Sequence, residues 1–235
     1  MGQQLQTAFG RLDFDAASTA VVVVDMQNDC VSPHGLFARG GIDVSPIEAV
    51  VAPIAGLLEV VRPVGVKVIY LRMGYHPDLS DTGAPDAPNW SKVHRRIGVG
   101  ETCELPDGTT GRYMIRDTWG TEIVDELAPD ELDPVIYKTR FSGFFETELH
   151  DVLQALGMRT LVFTGCTTSV CVESTLRDAF FRDYQCILLE DCVAEPIGHE
   201  LPRSNLDATL LLVNRVFGWV TRSDAIVELL TSHSA

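Results

Sequence analysis

Short, continuously apolar runs alternate along this chain with segments of helical period. Ala20–Asp25 (AVVVVD) is apolar up to its last residue, the pattern of a strand buried on both faces. Comparable runs recur at 66–72 (VKVIYLR), 133–138 (DPVIYK), 159–165 (RTLVFTG), 185–191 (QCILLED) and 215–220 (RVFGWV). Between them the spacing predicts helices over 45–64, 121–127, 146–156, 171–182 and 201–213, and a last one over 223–230. Gly157 is placed to close the third of these, and Ser223 to cap the last. Strands and helices alternating in this way imply an α/β fold, a mainly parallel sheet with helices on both faces. Residues 74–118 show neither period and are rich in Gly, Pro and Asp. Such a segment is expected to be a lid, a binding loop or a subunit contact.

Composition narrows the picture. The chain has 235 residues, 46% of them hydrophobic, which suits one domain over 1–235 with a sizeable core. No internal repeat or linker divides it. The net charge of −15 argues against nucleic acid, whose phosphates need a basic face. No apolar run approaches the ~20 residues that cross a bilayer. The first residues, MGQQLQTAFGRLDFD, lack a signal-peptide stretch, and Gln6 does not fit a myristoylation motif. A cytoplasmic location is therefore expected, with Cys30, Cys103, Cys166, Cys171, Cys186 and Cys192 reduced.

Parallel sheets bind ligands at the carboxyl ends of their strands. The first strand ends in Asp25, the second in Arg72 and the third in Lys138. The fourth runs into Gly165, Cys166 and Cys171. An acid, an amine and a thiol thus converge on one sheet edge. Cys171 falls in the first turn of a helix, where the dipole and a nearby Lys138 ammonium are expected to lower its pKa. Asp25 could take the thiol proton and return it to a leaving group, which describes acyl transfer through a thioester. The bland alternatives are a buried core cysteine, a turn-capping Asp25 and a solvated Lys138. Metal is a further rival, but Cys166 and Cys171 lack zinc-site spacing and no histidine pair matches them. No dinucleotide fingerprint follows the first strand, so no cofactor is expected.

The stretches VVVVDMQNDC, KTRFSGFFET, FTGCTTSVCVESTLRDAFFRDY, LLEDC and FGWV resemble cysteine hydrolases of the isochorismatase-like superfamily. The similarity runs from about Ala20 to Val220. Ureidoacrylate amidohydrolases are nearest in pattern, with biuret hydrolases and N-carbamoylsarcosine amidases as neighbours. The resemblance implies a three-layer α/β/α fold on a six-stranded Rossmann-like sheet, and a homodimer or homotetramer. It implies Asp25 as general base, Lys138 as electrostatic partner and Cys171 as nucleophile. It also implies a cis peptide between Cys166 and Thr167, with the Thr167 and Cys171 N–H groups as oxyanion hole and Cys166 a bystander. Gly74 stands where nicotinamidases carry a metal-binding Asp, so no metal is expected. Met73, Tyr75 and Phe141 replace an Asn, a Trp and a Tyr of the ureidoacrylate pattern. These three, with Leu36 and Asn214, are the expected substrate-binding residues. The implied substrate is a ureide or carbamoyl compound cleaved at a linear C–N bond. The alternatives are a nicotinamidase-type carboxamide, or a non-catalytic redox sensor pairing Cys171 with Cys166 or Cys30.

Overall fold

The computed structural model describes residues 3–7, 10–198 and 204–231. Its strands, in chain order, are β1 (Gln3–Thr7), β2 (Gly10–Phe14), β3 (Thr19–Val24), β4 (Lys67–Met73), β5 (Thr102–Glu104), β6 (Thr110–Arg112), β7 (Val135–Lys138), β8 (Thr160–Cys166), β9 (Gln185–Ala194) and β10 (Trp219–Thr221). Six of them form one parallel sheet in the order β10-β9-β8-β3-β4-β7. β3 and β8 are buried along their whole length, as their unbroken apolar runs demand. From β3 the chain builds outward through β4 to β7, then crosses back to place β8 on the other side of β3. The crevice between β3 and β8 is therefore the topological switch point, where open α/β sheets bind ligands.

Right-handed crossovers put the connecting helices on opposite faces of such a sheet. Helix Val51–Val61 joins β3 to β4 and packs against helix Ser223–Thr231. Helices Leu149–Ala155, Glu173–Phe180 and Asn205–Leu212 belong to the opposite crossovers. Gly157 closes its helix at φ 71°, as expected.

Several expected elements are shorter or different. The helix over 45–64 is split into Ser45–Glu48 and Val51–Val61, because Pro53 has no N–H for the intervening turn. Residues 121–127 form two single turns, Trp119–Thr121 and Asp125–Leu127, too short a stretch to propagate a helix. The expected strand 215–220 is mostly a π-helical turn, Val213–Phe217, with Val213 buried. Extended pairing starts only after Gly218, whose missing Cβ leaves room for the Cys186 carbonyl. Residues 201–203 of the expected helix 201–213 lie outside the described residues. Ser223 does not cap its helix; its N–H and hydroxyl both donate to Asp191. The hairpin β1–β2 carries no apolar run that announces it. Within 74–118 the chain makes a π-helical turn, Asn89–His94, a turn Arg95–Ile97 and the hairpin β5–β6.

One backbone contact sets the geometry at the switch point. Gly165 has φ 103°, and a Cβ there would lie 2.1 Å from the Val24 carbonyl oxygen. The register between β8 and β9 shifts at the same place. Only glycine permits both the φ and the approach. Gly165→Ala is expected to lose at least about 3 kcal/mol of stability, from backbone strain plus a clash with a rigid neighbour. Denaturant unfolding of the variant checks this; a loss under about 1 kcal/mol would show that β3 and β8 can part freely.

Candidate active site

Asp25 is the residue after β3, and it adopts φ 52°. Asp is among the few non-glycine residues that enter this left-handed region readily. The turn lifts its carboxylate over the sheet edge instead of continuing the strand. Its N–H donates to the Leu71 carbonyl at 2.8 Å, and its own carbonyl accepts from the Cys166 thiol at 3.4 Å. Cys166, expected to be a bystander, thus ties β8 to the Asp25 backbone. Lys138 ends β7 two strands away, and its Nζ reaches Asp25 Oδ2 at 2.8 Å. Lys138 is 0% and Asp25 3% exposed, so this ion pair is dry.

Cys171 lies in the π-helical turn Thr168–Val172, between β8 and helix Glu173–Phe180. Its carbonyl accepts from Thr175 Oγ1 at 2.7 Å, and Thr175 Oγ1 accepts from the Gly143 N–H at 3.0 Å. Glu195 anchors the front of the turn by accepting from the Ser169 N–H at 2.6 Å. The peptide between Cys166 and Thr167 is cis, as the resemblance implied. The thiol lies within the electrostatic reach of both Lys138 and Asp25. Asp25 Oδ1 and Thr168 Oγ1 are buried with no hydrogen-bond partner. Orphaned polar atoms of this kind are rare in folded proteins and collect at functional sites.

The charge state of the thiol differs from the expectation. Burial pushes its pKa well above the ordinary value; Lys138 pulls it down, and the Asp25 charge pushes it up again. The helix-terminus and ammonium effects are outweighed because Cys171 is only 8% exposed. For Lys138, burial pulls the pKa down, but attraction to Asp25 and Cys171 overrides it and the net shift is upward. The resting site is thus an ammonium–carboxylate pair beside a neutral thiol. Below a raised thiol pKa, the thiolate fraction grows tenfold with each pH unit. Iodoacetamide labelling of Cys171 is therefore expected to be slow at pH 7 and still rising at pH 9, followed by mass spectrometry. A rate already level between pH 6 and pH 8 would mean a pre-ionised thiolate.

The five expected substrate-binding residues divide. Met73 ends β4, and its backbone is held on both sides by Gln27, with Met73 N–H to Gln27 Oε1 at 2.8 Å and Gln27 Nε2 to the Met73 carbonyl at 3.0 Å. Tyr75 is fully buried and its hydroxyl lies 2.8 Å from His94 Nδ1. Phe141 meets the same histidine edge-on, with ring centroids 5.7 Å apart. Leu36 and Asn214 are placed differently. The Leu36 side chain is wholly buried in the core and its N–H is bound by Asp29. Asn214 Oδ1 accepts from the Val220 N–H, in a cleft lined by Gln6, Glu190 and Arg222 that contains no triad residue.

Sequence reading missed Gln27, Asp29, Thr175, Glu195 and His94. Gln27 and Asp29 follow Asp25 at every second position in DMQND, a signal available in the sequence. Asp29 binds the N–H groups of Leu36 and Met114, and burial, partly offset by those bonds, raises its pKa to about 6. Among the described residues, no three His, Cys, Asp or Glu side chains gather as a metal site, and no helix is long and apolar enough to cross a membrane.

The parallel six-stranded sheet thus brings Asp25, Lys138 and Cys171 together at its switch point. Residues 19–224 match the isochorismatase domain, and the chain belongs to that family. Within it, the chain is 42% identical over 207 residues to the ureidoacrylate amidohydrolase RutB of Caulobacter segnis, covering 88% of this chain and 83% of the relative. It is likewise 42% identical over 204 residues to that of Agrobacterium fabrum, covering 87% and 86%. Among solved structures, a cysteine hydrolase from Pseudomonas syringae pv. phaseolicola superposes with a TM-score of 0.77 at 28% identity, covering 99% of both chains. The N-carbamoylsarcosine amidase of Thermoplasma acidophilum gives 0.64 at 28% identity, covering 88% of this chain and 97% of its own.

Proposed function

We propose that this protein is a cysteine-dependent amidohydrolase that cleaves the linear C–N bond of a ureide of the ureidoacrylate type through a thioester intermediate. The observation that carries the reading is the dry Lys138–Asp25 pair beside Cys171, with Asp25 Oδ1 left without a partner. A carboxylate oxygen free to accept, next to a neutral thiol, is a base waiting for its proton. The chain's likeness to ureidoacrylate amidohydrolases over most of both lengths supports the substrate class.

Asp25 takes the Cys171 proton as the sulfur adds to the ureido carbonyl, so the thiolate never has to exist free in the buried site. Lys138 pairs with Asp25 before the step and offsets the negative charge that builds up during it. The oxyanion rests on the Thr167 and Cys171 N–H groups. Asp25 then gives its proton to the departing amine, and the C–N bond breaks to leave a carbamoyl thioester on Cys171. A water deprotonated by Asp25 cleaves the thioester, releasing carbamate and returning the thiol. The raised pKa of Cys171, and that of the buried Cys30 thiol, disfavour a redox sensor, which needs an accessible, low-pKa sulfur.

Ammonia and amine release across ureidoacrylate, biuret, N-carbamoyl amino acids and nicotinamide tests the assignment. Ureidoacrylate is expected to give a kcat/KM at least about tenfold above the others, a margin one well-placed polar contact can supply. Preference for nicotinamide would overturn the ureide reading.

A further inference from the structure

The side chains of Met73 and Phe141 carry no hydrogen-bond donor, and the Met73 backbone is already occupied by Gln27. The irregular segment after β4 brings two polar side chains to the same place. His94 is buried, packed between the rings of Tyr75 and Phe141. Its Nδ1 lies 2.8 Å from the Tyr75 hydroxyl and 3.2 Å from Asn89 Nδ2. The Tyr75 hydroxyl also donates to the Thr139 carbonyl at 3.1 Å; with the Asn89 amide nitrogen placed against Nδ1 as a donor, Nδ1 is assigned the lone pair and Nε2 the ring proton. Nε2 makes no hydrogen bond among the described residues.

The surroundings of this leftover donor are cationic. Burial, then the nearby charges of Lys138 and Arg140, hold the His94 pKa down to about 4, so the ring is neutral at physiological pH. Lys138 is neutralised by Asp25. Arg140 makes no ion pair among the described residues; its guanidinium donates to the carbonyls of Thr139 at 2.7 Å and Asp81 at 3.4 Å. A neutral N–H donor beside an uncompensated guanidinium suits an anionic oxygen better than a second cation or an apolar tail.

We propose that His94 is a specificity-determining residue, its Nε2–H donating to the carboxylate at the far end of the ureide substrate while Tyr75 and Asn89 fix the ring. The assignment rests on the ureidoacrylate-type reading above. It makes the segment Asn89–His94 part of the substrate site and gives the buried Tyr75–His94 pair a role.

The test compares wild type, His94→Phe and His94→Gln on ureidoacrylate and on its methyl ester, in which the carboxylate is neutralised. Wild type is expected to prefer the acid. His94→Phe should raise KM for the acid at least about thirtyfold, with kcat within about threefold, and change KM for the ester by less than about threefold. His94→Gln, which keeps a side-chain N–H, should recover most of the lost affinity. Thermal melts of each variant show whether the fold is kept. An unchanged KM in His94→Phe, or equal losses on acid and ester, overturns the role of His94 and leaves the reaction assignment standing. Failure of wild type to cleave ureidoacrylate overturns the reaction assignment, and this proposal with it. Equal losses in His94→Phe and His94→Gln, with lowered melting points, would mark a purely structural histidine.

Discussion

Replacing Cys171 with serine is expected to lower kcat/KM on ureidoacrylate by about 10⁴-fold or more, with little change in stability. A hydroxyl is far less acidic than a thiol, and Asp25 is too weak a base to activate it. Serine nearly matches the shape of cysteine, and the hydrogen bond holding this position uses the Cys171 carbonyl, not its side chain. The fold should therefore survive. Product release checks the rate, and a thermal melt checks the fold. Residual activity above about 1% in a folded variant would remove the thioester route, since loss of a nucleophile typically lowers turnover by several powers of ten.

Removing Lys138 should have the largest effect on stability. Lys138→Met leaves the Asp25 carboxylate buried and unpaired, a change that typically destabilises by about 3–5 kcal/mol. The double variant Asp25→Asn/Lys138→Met carries no buried charge and is expected to regain most of that loss while remaining inactive. Denaturant titrations of the three proteins measure the coupling. A native-like stability for Lys138→Met alone would mean that water reaches the pair and that the site is not dry. The direction of the Lys138 shift makes a further point about pH. A lysine raised in the folded state lends stability below its unfolded pKa and loses it only as pH rises through the folded one. The pair is thus expected to hold across the whole neutral and mildly alkaline range.

The Asp25–Lys138–Cys171 cluster was legible in the chain because each member ends an apolar run or closely follows one. Asp25 closes AVVVVD, Lys138 closes DPVIYK, and Cys171 follows RTLVFTG by one short loop. Parallel strands carry all their carboxyl ends to one edge, so strand-ending residues converge whatever lies between them. Thr175 and Glu195 left no comparable mark. They act on backbone groups across the loop, and a side chain bonded to a distant carbonyl or N–H has no period to reveal it. Asn214 likewise serves the backbone, its side chain accepting from the Val220 N–H.

The sequence by itself determined the parallel sheet, its carboxyl edge, and the acid, amine and thiol that meet there. These follow from local apolar periodicity and from which residue ends each run. Only the tertiary structure decided that the resting thiol is neutral, that Cys166 bonds the Asp25 carbonyl, and that His94 joins Tyr75 and Phe141 from a segment without any period. Each of those depends on burial and on contacts between residues far apart in the chain: desolvation of Cys171 outweighs a favourable local helix end, and no window of sequence reports how much water a folded side chain has lost.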